Sequence, residues 1–189
     1  MIVGVDEVGR GAWAGPLLVV AARPKTNLPS GLADSKALSK KRRGELFELL
    51  TEVCDFGEGW VQPEEIDNHG LAKAMRLGVS RALIMLAAEL DQEIIMDGKI
   101  NYCPPEYSDV SCVIGADASH PVVSAASVYA KVLRDRHMRR LALLYPKYGF
   151  EKHVGYGTHF HQLMLRVYGA SRIHRKSYKP VKQLMIAIN

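Results

Sequence analysis

The sequence contains no run of about 18 or more apolar residues, the length a membrane-spanning helix requires, so it offers no candidate span and no membrane association is expected. Cysteine is scarce. Cys54, Cys103 and Cys112 are odd in number, widely spaced and outside any Cys-x-x-Cys pair. That pattern argues against a disulfide framework and against structural zinc, and leaves ordinary core or surface thiols. Met1-Ile2-Val3-Gly4-Val5-Asp6 meets an acid early and has no basic leader, which is unlike a secretory signal and predicts a cytoplasmic protein. Repeats and low-complexity tracts are absent. Acids are absent between Arg166 and Lys182, where Arg166, Arg172, Arg175, Lys176, Lys179 and Lys182 alternate with Tyr168, His174 and Tyr178. Alone, that segment fits a solvated basic tail and a polyanion-binding surface equally well.

What is present is a chain of 189 residues, 48% hydrophobic, sufficient to bury one sizeable core. A single domain with at most a small appendage is expected. The net charge of +5 is compatible with a polyanionic partner without requiring one. Ile2 to Asp6 and Leu17 to Ala22 read as two strands of an opening antiparallel pair, with Gly9 to Gly11 in the turn between them. A helix follows Ser39, and Trp60-Val61 belongs to a third strand. Pro63-Glu64-Glu65 starts a helix, with proline and acids suited to the first turn. Leu71, Met75, Val79, Ala82 and Leu86 continue it as one long amphipathic element. Glu93 to Asp97 and Val110 to Ile114 read as buried strands, Ser124 to Leu144 as a helix, and His159 to Tyr168 as another ended by Gly169. Helices alternating with strands after a hairpin imply a mixed α/β sheet.

Three of these strands close on carboxylates: Asp6 with Glu7, then Asp97, then Asp117. Ligands gather at strand ends in open α/β sheets, so acids far apart in sequence can converge there. Crowded carboxylates repel, and hard divalent cations such as Mg²⁺ or Mn²⁺ resolve the repulsion. Two such ions can activate water and stabilise the leaving oxygen in phosphoryl transfer. Each acid alone also fits a turn or a cap, as the dipeptide Asp97-Gly98 illustrates. Only the set carries the metal-site reading.

Gly9-Arg10-Gly11-Ala12-Trp13-Ala14 matches G-x-G-x-x-G/A, with Asp34 about twenty residues on, as in dinucleotide-binding proteins. The context opposes that reading. Gly15-Pro16 and the β-rich Leu17 to Ala22 stand where a helix should receive the pyrophosphate, and Asp6 and Glu7 would repel it. A phosphate-binding P-loop also fails, because Arg10-Gly11 stands where Lys-Ser/Thr is needed. The glycines suit a turn whose backbone approaches a substrate closely and can read a ribose 2′-hydroxyl.

Three further features carry no site of their own. His153, His159 and His161 lack the Glu of a His-Glu-x-x-His zinc helix and read as surface or substrate-side residues. Lys40-Lys41-Arg42-Arg43 reads as the solvated start of a helix, although duplex phosphates would feel its charge. Gln183-Leu184-Met185-Ile186 lacks the aromatic pair of a sliding-clamp-binding tail.

Asp6-Glu7-Val8-Gly9-Arg10-Gly11, followed by Ala14-Gly15-Pro16, resembles the opening of ribonuclease HII, the type 2 ribonuclease H family. The resemblance continues through Asp34-Ser35-Lys36-Ala37-Leu38-Ser39, Pro63-Glu64-Glu65-Ile66-Asp67, Met96-Asp97-Gly98 and Ser124-Ala125-Ala126-Ser127. It extends to Ala130-Lys131-Val132-Leu133-Arg134-Asp135, Tyr148-Gly149-Phe150, His153-Val154-Gly155-Tyr156-Gly157-Thr158 and His174-Arg175-Lys176-Ser177. The blocks keep the family's order over nearly the whole chain. The resemblance implies an RNase H-like mixed sheet flanked by helices in a single catalytic domain over residues 1–189. Residues from about 147 to 189 would form a C-terminal helical appendage that binds substrate.

Carried over by motif, Asp6, Glu7, Asp97 and Asp117 would be the catalytic acids, holding two Mg²⁺ or Mn²⁺ ions. Gly9, Arg10 and Gly11 would read the RNA–DNA junction, Tyr156 would stack on the neighbouring deoxynucleotide sugar, and Ser35 and Lys36 would contact phosphate. The substrates would be RNA–DNA hybrids and duplex DNA with embedded ribonucleotides, cut 5′ to the ribonucleotide, by a protein expected to be monomeric. Ala116, Lys99 and Val154 depart from the family pattern, as does Ala12-Trp13, and a neutral Val154 would weaken phosphate binding. The competing classes are a non-catalytic nucleic-acid-binding protein and a dinucleotide-dependent enzyme. The complete acid set, with the Gly-Arg-Gly turn and Tyr156, favours the nuclease.

Overall fold

The computed structural model describes residues 1–32 and 39–186, so Asp34, Ser35 and Lys36 lie outside the described residues. The chain divides into two compact units. The first comprises Met1–Val8, Leu18–Trp60 and Met75–Val132; the second comprises Gly9–Leu17, Val61–Ala74 and Leu133–Asn189. The unit that holds the C-terminal region thus also includes segments 9–17 and 61–74.

The first unit is built on a sheet of β1 (Val3–Val8), β2 (Leu17–Pro24), β3 (Cys54–Val61), β4 (Ile94–Asp97) and β5 (Val110–Val113), in the order β3-β2-β1-β4-β5. β1 runs antiparallel to β2, with Val5 opposite Ala21, and parallel to β4, with Val5 opposite Met96. β4 and β5 are parallel. The sheet is thus mixed, as the order of elements implies. β2 is buried continuously from Leu17 to Ala22, as suits a strand covered on both faces.

β3 is longer than the expected Trp60-Val61. Glycines at 57 and 59 hide its β-pattern, and the structure shows their purpose. A Cβ on Gly57 would collide with the Ala82 carbonyl, and one on Gly59 with the Gly78 carbonyl. Backbone thus lies against backbone between β3 and α3 (Leu71–Leu86), whose Met75, Val79, Ala82, Leu83 and Leu86 are buried. α1 (Lys40–Val53) opens at Ser39, whose hydroxyl accepts the Arg42 N–H at 3.2 Å. The expected single helix after Pro63 is two. α2 (Pro63–His69) closes at Gly70, where φ is 76° and the amide bonds the Ile66 carbonyl, and α3 starts afresh at Leu71.

β5 ends at Val113, and Asp117 lies in the first turn of a short helix, α4 (Ala116–Ser119), rather than at the strand's end. α5 (Pro121–Leu144) begins three residues before the expected start at Ser124; residues 121–132 belong to the first unit and 133–144 to the second.

The second unit has its own core, in which Ala14, Met138, Tyr148, Phe150, Leu165, Val181 and Leu184 pack together. Its helices include α2, α6 (Phe150–His153), α7 (His159–Tyr168) and α8 (Lys179–Ile186). α7 has the expected limits: Thr158 caps it by accepting the His161 N–H, and the Gly169 amide closes it on Leu165. α8 was hidden in the basic segment, yet Val181 and Leu184 bury its apolar face. Among the described residues no helix is long and apolar enough to cross a membrane.

Candidate active site

Asp6 and Glu7 occupy the end of the central strand β1, and Asp97 ends the neighbouring parallel strand β4. Parallel pairing brings equivalent ends of the two strands side by side, so the three acids reach one place although some ninety positions separate them in sequence. All three line a cavity of about 450 Å³, together with Val8, Arg43, Ser127 and Lys131. Asp6 is buried there. Desolvation, with smaller contributions from the charges of Glu7 and Asp97, raises its carboxyl from 3.8 to about 7. Hydrogen bonds from the Ser127 hydroxyl and the Glu7 N–H (2.7 Å) work in the opposite direction, but burial wins.

One oxygen of Asp97 accepts the Ala116 N–H at 2.8 Å, which fastens the start of α4 to the end of β4. This tie holds the turn that carries Asp117. The Asp117 side chain is 2% exposed and is not among the residues lining the cavity. The Ser124 hydroxyl donates to the Asp117 carbonyl and holds the turn from the other side. Among the described residues, no group of three or more His, Cys, Asp or Glu side chains is close enough, as they stand, to hold a metal ion. The donor chemistry nevertheless fits a hard divalent cation. Three carboxylates face one cavity, and one is buried at an electrostatic cost that a cation would remove.

Ser127, Lys131 and Arg43 were not singled out from sequence as site residues. Ser127 and Lys131 stand one helical turn apart on α5, so an i, i+4 reading of that helix face could have paired them. Arg43 belongs to the basic run read as solvated, yet it is half-buried and reaches the cavity wall.

The second unit contains the Gly9–Gly11 turn and Tyr156. Gly9 is buried with φ at 87°, and a Cβ on it would strike the Arg134 guanidinium. Arg10 and Gly11 are exposed, and Gly11 has open space where a Cβ would go. Two fully buried arginines hold the turn and the segment after it. Arg134 donates to the carbonyls of Pro16 (2.9 Å), Val154 (3.0 Å) and Ala14 (3.3 Å). Arg175 donates twice to the Gly15 carbonyl (3.0 and 2.9 Å) and once to that of Arg10 (3.0 Å). The Tyr178 hydroxyl also donates to the Arg10 carbonyl, at 2.6 Å. Burial lowers both guanidiniums, Arg134 to about 10, so both stay charged at neutral pH.

Tyr156 is half-buried, its ring centroid 5.6 Å from the Arg134 guanidinium carbon. The amides of Trp13 and Ala14 donate to the Gly155 carbonyl at 2.8 and 3.2 Å, so the strand-loop bearing the turn is stitched to the segment bearing Tyr156. Val154, which departs from the family pattern, sits at φ 44°, a conformation a β-branched residue adopts only under constraint; its carbonyl is held by Arg134. His153 and His161 are buried rather than at the surface, 7% and 0% exposed, because Phe150 and the neighbouring rings enclose them. His159 is exposed.

Residues 3–181 match the family model described as Ribonuclease HII. A ribonuclease HII of Novosphingobium aromaticivorans is 40% identical over 199 aligned positions, covering 97% of this chain and 98% of that protein. Among solved structures, ribonuclease H2 from Pyrococcus horikoshii superposes with a TM-score of 0.78 at 26% identity, covering 99% of this chain and 98% of the other. A chain of the PCNA:RNase HII complex from Archaeoglobus fulgidus gives 0.81 at 27% identity, covering 97% and 96%.

Two stability measurements check the geometry. Asp6 has a higher pKa folded than unfolded, so its favourable contribution is complete below about 4 and gone above about 7. With chelator present, Asp6→Asn should therefore match the parent near pH 4 and exceed it by on the order of 4 kcal/mol above pH 7, as urea denaturation would read. Gly9→Ala should cost about 1–3 kcal/mol through the clash with Arg134 and the positive φ, whereas Gly11→Ala should stay within about 0.5 kcal/mol.

Proposed function

Because the chain belongs to the ribonuclease HII family and is accordingly a ribonuclease H, we propose that it hydrolyses the RNA strand of RNA–DNA hybrids and incises duplex DNA 5′ to single embedded ribonucleotides. The observation that carries this reading is the cavity shared by Asp6, Glu7 and Asp97, three carboxylates with a buried member that a divalent cation would stabilise. Asp117 is assigned with them by its place in the family motif, on the turn that Asp97 holds.

Bound Mg²⁺ or Mn²⁺ would supply an activated water and charge stabilisation for the leaving oxygen, giving 3′-hydroxyl and 5′-phosphate ends. Asp6, Glu7, Asp97 and Asp117 would hold the ions. The Ser127 hydroxyl orients the Asp6 carboxyl, and Lys131 and Arg43 on the same wall place positive charge where a phosphodiester would enter. Gly9, Arg10 and Gly11 would read the 2′-hydroxyl from a turn whose outer part is exposed and whose Arg10 carbonyl is already engaged by Arg175. Tyr156 would stack on the adjacent deoxynucleotide sugar. Ser35 and Lys36 would contact phosphate by motif alone.

The protein is proposed to act as a monomer. Gln183-Leu184-Met185-Ile186 is not assigned a sliding-clamp contact: it lacks the aromatic pair, and Leu184 is engaged in the core.

The direct experiment uses a labelled DNA duplex with one ribonucleotide, incubated with protein and Mg²⁺, Mn²⁺ or chelator. Metal-dependent incision 5′ to the ribonucleotide is expected; folded protein that cuts neither this duplex nor a hybrid would leave only a binding role. Asp97→Asn should keep the fold and lower turnover by about a hundredfold or more, and a parental rate would refute the acid assignment. Tyr156→Ala should reduce incision at single ribonucleotides more than cleavage of long hybrids. Equal loss on both, compared by kcat/KM, would remove its junction role.

A further inference from the structure

Three buried histidines in the second unit have no part in the chemistry proposed above, and two of them form a chain that ends on Tyr156. His174 Nδ1 accepts the Ser171 N–H at 2.9 Å, so in the neutral ring the proton must sit on Nε2. That Nε2 faces His161 Nε2 at 3.0 Å, which must then accept. The proton of His161 is left on Nδ1, which faces the Tyr156 carbonyl at 2.9 Å and donates to it. One backbone amide thereby fixes both tautomers in series. His161 and His174 are 0% and 1% exposed, so water cannot substitute for a missing partner.

The surroundings direct the chain at the same residue. His153 donates from Nε2 to the Tyr148 carbonyl at 2.9 Å and accepts the Gly155 N–H at 3.3 Å, while its own carbonyl takes the Tyr156 N–H at 2.9 Å. Its ring stacks on His161 with centroids 4.5 Å apart. Both peptide groups flanking the Tyr156 Cα are thus held by this cluster. Phenylalanine would fill such volumes without using a single polar atom. Here every ring nitrogen of His161 and His174 is spent, and the chain terminates at the tyrosine backbone.

We propose that Ser171, His174 and His161 form a neutral imidazole relay that sets the position of Tyr156, making His161 and His174 positioning residues for recognition of the RNA–DNA junction. This rests on the reading of Tyr156 as the residue that stacks on the sugar beside the ribonucleotide. The relay does not touch substrate. It acts by keeping the Tyr156 ring where its contact is made, and a displacement of about 1 Å in a positioning group is enough for large kinetic losses.

The test separates the relay from the reading beneath it. In the full-length protein, long-range ¹⁵N NMR of the imidazoles should show His161 as the Nδ1–H tautomer and His174 as the Nε2–H tautomer. His174→Asn, which keeps an acceptor for Ser171 but removes the donor to His161, should shift the Tyr156 carbonyl ¹³C signal. His161→Phe should lower the ratio of single-ribonucleotide to long-hybrid kcat/KM by about tenfold. His161→Asn, which retains a donor near the Nδ1 position, should restore most of it and serves if the Phe variant does not fold. The opposite tautomers, or an unmoved Tyr156 signal in folded His174→Asn, would overturn the relay. So would an unchanged ratio in the folded His161 variants when Tyr156→Ala lowers it. If Tyr156→Ala itself leaves the ratio unchanged, the reading of Tyr156 fails, and the recognition role of the relay falls with it whatever the imidazole spectrum shows.

Discussion

Two guanidinium groups removed completely from water govern the second unit. Burying a charge costs several kcal/mol even after relaxation, and the cost is met only when the donors are satisfied in good geometry. Arg134 and Arg175 meet it largely with backbone carbonyls, those of Arg10, Ala14, Gly15, Pro16 and Val154. A planar fork of fixed donors dictates where those carbonyls lie, which a flexible ammonium could not do. With its carbonyls turned inward to the arginines, the 10–16 segment has little freedom left. Arg10 carries its side chain outward from a backbone already fixed. The same guanidinium that excludes a side chain at Gly9 lies against the Tyr156 ring, so turn and tyrosine share one support. If the turn reads substrate as proposed, its order in advance of binding lessens the entropy lost on binding.

The first unit follows a different logic, that of a sheet concentrating charge. β1 lies at the centre of the sheet and is paired on both sides, so the acids at its end are anchored to the most constrained backbone available. The burial that makes this anchoring rigid also makes ionised Asp6 unfavourable in the absence of a cation. Structural precision and the proposed demand for a cation therefore have a common origin. Asp97 has a double part, facing the cavity while holding the α4 turn through the Ala116 amide.

Much of this architecture was legible in the chain. Strong periodicity and explicit stop signals gave the opening antiparallel pair, α5 and α7, the last to its terminal residues at His159 and Tyr168. Each difference between the sequence expectation and the structure has a physical cause. β3 looked short because Gly57 and Gly59 serve close packing, which has no local signature. α8 was obscured because it continues a longer basic run, and Val181 and Leu184, which bury it, are set against Lys179 and Lys182 of the same helix. The histidines looked superficial because a buried imidazole differs from an exposed one only in the partners around it, and those partners come from elsewhere in the chain.

The sequence by itself determined the inventory: a mixed α/β fold, carboxylates at strand ends, a glycine turn beside them, and the ordered motifs of a ribonuclease HII. These follow from local propensity and residue chemistry, which are properties of short segments. Only the tertiary structure decided which groups share an environment. It placed Asp6, Glu7 and Asp97 on one cavity while putting the Asp117 side chain on a buried turn, and it added Ser127, Lys131 and Arg43 to the wall. It also made Arg134, Arg175, His161 and His174, of which only Arg175 and His174 belong to the basic segment, into buried supports for the Gly9–Gly11 turn and Tyr156. Desolvation and hydrogen-bond geometry depend on distances between residues remote in sequence, and those distances exist only once the chain has folded.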